Sequence, residues 1–370
     1  MRVSKIALVA LVATIAGCAS GGQTANTGAA SDGSTTPGQG ASRIDSPWPV
    51  KTRSHIDLWL HGFAMIQDDT TRIPYFRRGY RDGMVVQKNR ANVTTLLDRN
   101  RDTLRARFAI NRELVNAQFL VFQFSSWDEM LQFINLFIEA EGDPRRGNTP
   151  QTQQAIAYLA SAFPTAGDRN WVKLFSQSLQ DENNKWYRAY WTQQQRDRAS
   201  VIAAVDSVWE RGLRPKIARF LNNTQQARGD VFLSLPLNGE GRSVNGGKTA
   251  NIITVTFPER PADAVEALYV IAHEAVGPVA GQVVADNTTP SEKRGGVFER
   301  LSSASLVRGG LMLLIKSAPE YADGYARYYL RSANLPTSSN PQAALAAAFP
   351  LPETIRDAIS RQLDVVAGGI

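Results

Sequence analysis

The stretch NIITVTFPERPADAVEALYVIAHEAVGPVAGQVVADN, residues 251–287, decides how the chain is read. Its first seven residues are mostly β-branched, which suits a strand. From Pro261 onward the apolar residues recur at helical spacing, and a proline fits the first turn of a helix. VFLSLPL (231–237) reads as a second strand, and NGEGRSVNGGK between the two carries turn signals. Outside this region the pattern is helical. SHIDLWLHGFAMI (54–66) opens with Ser54 and Asp57 in capping-box spacing. Helices are expected over 111–124, 126–142, 149–163 and 181–212. After 287 they resume near 291–316, 319–332, 340–348 and 352–366. The expected fold is mainly α with a small β part: a helical lobe over 46–225, then a strand pair and helical lobe over 226–370. The length accommodates these as one domain or two.

The N-terminus reads as an address. Arg2 and Lys5 precede the apolar run IALVALVATIA (6–16), too short to span a bilayer at ~20 residues per helix. The following IAGC (15–18) resembles the bacterial lipobox, which implies cleavage of residues 1–17 and a lipid on Cys18. Cys18 is the only cysteine of the 370 residues, so no internal disulfide is available to it. Ala19 and Ser20 follow, and the resemblance then implies the outer membrane. Residues 19–45 are Gly, Ser, Thr and Ala-rich, a flexible tether with a reach of ~30 Å. Of 41 Lys and Arg, two leave with the signal, so 39 basic against 34 acidic residues give the mature chain +5. That excess suits an envelope protein near anionic lipid or wall polymer, and not a nucleic-acid binder. YFRRGYRDG (75–83) and DRNRDTLRARF (98–108) carry arginines that read as a solvated face or as a phosphate or glycan contact. No serine nucleophile elbow and no complete phosphate loop is present.

Within the apolar helix stand His273 and Glu274. In zinc peptidases His-Glu-x-x-His sets two imidazoles on one helix face, with the glutamate as general base toward zinc-bound water. The strand, the His-Glu helix and a later glutamate over residues 250–330 resemble the gluzincin metallopeptidases. That resemblance implies zinc on His273 and Glu299, Glu274 activating water, and a tyrosine such as Tyr325 donating to an oxyanion. The motif is incomplete, since Gly277 replaces the second histidine. Pro278 removes the amide that would bond to the Glu274 carbonyl, so a kink is expected there. Only His55 and His61 remain as other histidines, and His61 is the candidate replacement ligand, with Asp57 one turn away to orient it. Gly277 also aligns with Ala280, Gly281 and a later stripe including Gly309 and Gly310, which predicts close helix packing. The alternatives are therefore a degenerate peptidase-like envelope lipoprotein, a non-catalytic lipoprotein that binds an envelope protein or peptide, and an active zinc peptidase with a distant ligand.

Overall fold

The computed structural model describes residues 46–68, 71–294 and 296–368. The lipobox, Cys18 and the tether lie outside the described residues. Four strands form one sheet: β1 (Val50–Lys51), β2 (Gly229–Ser234), β3 (Arg242–Val244) and β4 (Asn251–Thr256), in the order β1-β2-β4-β3. The chain is mainly α with this small sheet, as the sequence pattern requires. The two expected strands pair parallel, Val231 opposite Ile253 and Ser234 opposite Thr256. The intervening turn-rich segment supplies the extra strand β3, antiparallel to β4, with Arg242 opposite Thr254. Three residues are too few to show period-two alternation, so β3 left no pattern to read.

The helices preceding β2 are α1 (Ser54–Ile66), α2 (Tyr80–Arg90), α3 (Leu96–Ile110), α4 (Trp127–Glu139), α5 (Pro150–Ala162) and α6 (Ala166–Glu182). They continue as α7 (Arg188–Asp197), α8 (Ala199–Val208) and α9 (Arg214–Asn223). After β4 come α10 (Val265–Ala275), α11 (Gly277–Asp286), α12 (Pro290–Arg294), α13 (Val297–Ser317), α14 (Ala322–Ser332), α15 (Pro341–Ala348) and α16 (Glu353–Leu363). Residues 111–124 form a 3-10 helix, Arg112–Gln123, in place of the expected α-helix. The stretch 181–212 is interrupted by π-helical turns at Asn183–Tyr187 and Trp209–Leu213.

One hydrophobic core runs from Trp48 to Leu363. Its aromatic centre is Trp59 and Phe63 of α1 against Trp171 and Phe175 of α6, with Trp59 and Phe175 rings 4.9 Å apart. The Ser54–Asp57 cap expected for α1 does not form. Arg53 is the N-cap, and Asp57 is buried, accepting from Trp191 Nε1 (2.9 Å) and the Leu235 amide (3.3 Å). Asp57 thus ties α1 to α7 and to the end of β2, and it makes no bond to His61. The break at Pro278 is present: α10 ends at Ala275 and α11 begins at Gly277. The Pro261–Asp286 stretch is apolar and long enough to cross a membrane, but its apolar window is 78% buried in the protein, as a core helix is.

Candidate functional site

The interruption at Val276 leaves His273 and Glu274 in the last turn of α10, where the helix faces β3 and β4. The Glu274 carboxylate is buried and accepts from three donors. Oε1 takes His273 Nδ1 (2.9 Å) and the Gly241 amide (3.0 Å), while Oε2 takes Ser243 Oγ (2.8 Å). Burial pushes this carboxyl up, but the His273, Ser243 and Arg242 interactions outweigh it and hold it below the usual glutamate range. An ionised Glu274 only accepts, so His273 Nδ1 carries the proton of this bond. Nε2 is buried without a partner, and the ring stacks on Tyr329 at 5.2 Å.

Gly241 explains how tightly the pair is enclosed. A Cβ there would lie 2.6 Å from Glu274 Cγ and 2.7 Å from the Thr254 carbonyl oxygen. The Gly241 backbone therefore packs directly on the Glu274 side chain, with its amide 3.0 Å from Oε1. Gly241 and Ser243, in a segment read only as turns, are the partners that sequence reasoning missed. A glycine beside an isolated serine gives no pattern by itself.

The remaining candidates are placed elsewhere. Glu299 is exposed in the first turn of α13. It precedes by ten residues the Gly309 that packs on Val276, about 15 Å along the helix at ~1.5 Å per residue. His61 is fully buried, with Nδ1 against Tyr80 (3.1 Å) and Nε2 against Glu182 (3.2 Å). Neither residue shares a hydrogen-bond partner or ring contact with His273. Among the described residues no three His, Cys, Asp or Glu side chains converge as a metal would need. Of the residues expected to hold zinc, His273 therefore stands without Glu299 or His61 beside it. Tyr325 is also buried, and its hydroxyl donates to the Val307 carbonyl at 2.9 Å.

A second buried polar network surrounds His61. Glu182 accepts from Lys88 at 2.7 Å and 3.0 Å and from the Thr95 hydroxyl, and Lys88 also bonds to Asp98. Burial pushes Glu182 up, but His61 and Lys88 outweigh it and bring it down to about 2. His61 itself is lowered by burial. The π-turn directly after Glu182 turns Trp186 and Tyr187 onto the same cluster, with the His61 and Tyr187 rings 4.4 Å apart. Every charged group here has a partner inside the protein, so the network holds α1, α2, α3 and α6 together.

The expected packing role of Gly277 is not what the structure contains. A Cβ there would meet only Leu306 at 3.9 Å, and Gly281 would meet nothing. The close approaches belong to Gly309, against Val276 at 3.1 Å, and to Gly310, against Tyr325. Comparison with protein-family models, with curated proteins and with solved structures finds no match for this chain.

Proposed function

We propose that the protein is a lipid-anchored cell-envelope protein, tethered through Cys18, in which a metallopeptidase-like His-Glu helix serves a structural and not a catalytic role. The observation that supports this reading is the full engagement of Glu274. A general base must reach a water, and this carboxylate already holds Ser243, the Gly241 amide and His273. Its task is to clamp the edge strand β3 onto α10. The protein then works by binding an envelope partner, held within tether reach of the membrane.

Two experiments test the two halves. Cys18→Ser is expected to release the chain from the membrane fraction of cells, and retention there would overturn the anchor. The purified full-length chain is expected to hydrolyse no peptide in a mixed peptide library. Hydrolysis that disappears in Glu274→Gln would overturn the structural role. A second reading, a zinc peptidase, is favoured by one observation, the unpartnered Nε2 of His273. It requires Glu299 or His61 to leave its present surroundings.

A further inference from the structure

Arg242 is 3% exposed, yet all its hydrogen-bond partners are neutral. Nε and Nη2 both donate to Gln118 Oε1, the former at 3.1 Å, and Nη1 donates to the Gly241 carbonyl at 2.6 Å. Its guanidinium lies 4.5 Å from the Tyr75 ring centroid and 5.7 Å from that of Phe119. A guanidinium has five N–H donors, so two remain unused. Glu274, whose ionised form Arg242 helps to favour, makes no hydrogen bond to it and already has three donors of its own. A buried arginine without a paired anion is unusual, because desolvating the charge costs several kcal/mol unless a partner offsets it.

Beside it stands a second unmet group. Thr254 is opposite Arg242 in the β3–β4 register, so both side chains point to the same face of the sheet. Thr254 is fully buried, and its Oγ1 has no partner. The Gln118 amide oxygen sits in the side-on fork that arginine offers to a carboxylate. A glutamine amide has the planar shape of a carboxylate without its charge, so Gln118 reads as an internal substitute. Gln118 and Phe119 belong to the 12-residue 3-10 helix, a conformation seldom sustained beyond a turn or so. Phe119 is 37% exposed, so on the side of this segment Arg242 lies beneath a residue that reaches solvent, while Tyr75 covers it from another segment.

We propose that Arg242 anchors a binding site for a carboxylate-bearing ligand, with Thr254 Oγ1 as a further donor and Gln118 filling the fork when no ligand is bound. The 3-10 segment moves aside to admit the ligand, carrying Gln118 and Phe119 together. This inference stands apart from the role given to Glu274, since peptidase activity would neither support nor remove it. The carboxylate belongs to a small free acid or to a peptide C-terminus, and the two sources are separable.

The test is calorimetric titration of the purified full-length chain with acetate, with N-acetyl-Ala-Ala and with the C-terminal amide of that dipeptide. The expected result is binding of the carboxylates and at least about tenfold weaker binding of the amide, the scale of a charge-assisted bond. Binding of acetate and dipeptide alike assigns a small acid, and binding of the dipeptide alone assigns a peptide terminus. Gln118→Glu supplies its own carboxylate, so it is expected to raise the melting temperature and weaken binding by about tenfold or more. Thr254→Val is expected to weaken binding while remaining folded. Equal binding of acid and amide, unchanged binding in Gln118→Glu, or no binding by both wild type and Gln118→Ala would overturn the proposal.

Discussion

Glu274 and Gly277 stand three residues apart and carry opposite amounts of structural consequence. Glu274 anchors three donors from two elements, so its neutral analogue keeps the shape but weakens charge-assisted bonds. Glu274→Gln is expected to cost about 1.5–3 kcal/mol in denaturant unfolding, in line with hydrogen bonds to a buried charge. Gly277 touches little, with Leu306 at 3.9 Å from its would-be Cβ and no positive φ. Gly277→Ala is therefore expected to change stability by no more than about 1 kcal/mol, helix propensity being offset by crowding of the new Cβ against the Pro278 ring. A clear loss of stability would restore the small-residue packing account. The local reason for glycine at 277 is the Pro278 that follows, whose ring crowds the Cβ of a helical residue before it. At this scale the sequence revealed the His-Glu pair but not its partners. Gly241 and Ser243 reach Glu274 across more than thirty residues, and no local spacing announces such contacts.

Among the elements, α2 leans on polar contacts. Its buried face is Tyr80, Met84 and Lys88, and two of these three bind the His61–Glu182 cluster. A left-handed residue flanks each end, Gly79 (φ 70) and Asn92 (φ 53). Removing one member of a buried pair leaves the other charge unmatched, so Lys88→Met is expected to cost about 3–5 kcal/mol. Replacing Glu182 as well, in Lys88→Met with Glu182→Leu, is expected to recover much of that loss. Hydrogen exchange would show the α2 amides opening first in the single variant. Equal protection across α2 and α6 in that variant would contradict the account. α1 spans the expected 54–66 and α5 lies within the expected 149–163, but α2, α3 and nearly all of α6 fall where no helix was expected. In α2 and α3 the buried apolar residues, Tyr80 and Met84, then Leu97 and Leu104, are too sparse among charged ones to show a period. The 3-10 and π segments were not legible, because side-chain periodicity over one or two turns does not separate them from α-helix.

For the whole molecule, the sheet and the helices meet through buried polar ties such as Asp57. Burial pushes its carboxyl up to about 7, against an ordinary value of 3.8. The folded state therefore holds the proton more tightly than the unfolded state between these values, and Asp57 makes stability fall as pH rises from about 4 to 7. His55, lowered by burial to about 4, acts oppositely, and its contribution is lost as pH falls from 6.5 toward 4. Asp57→Asn is expected to remove the decline between about pH 4 and 7 from the pH profile of the melting temperature. An unchanged profile would mean that Asp57 titrates normally. The class of the fold followed from hydrophobic period alone, while the parallel pairing of β2 and β4 depended on a strand of three residues. The central claim is that the His-Glu helix is structural. Zinc content of the full-length chain, purified without chelator, tests it most directly. The account predicts zinc far below one equivalent, with no difference between wild type and His273→Ala. One equivalent in the wild type that vanishes in His273→Ala would contradict it.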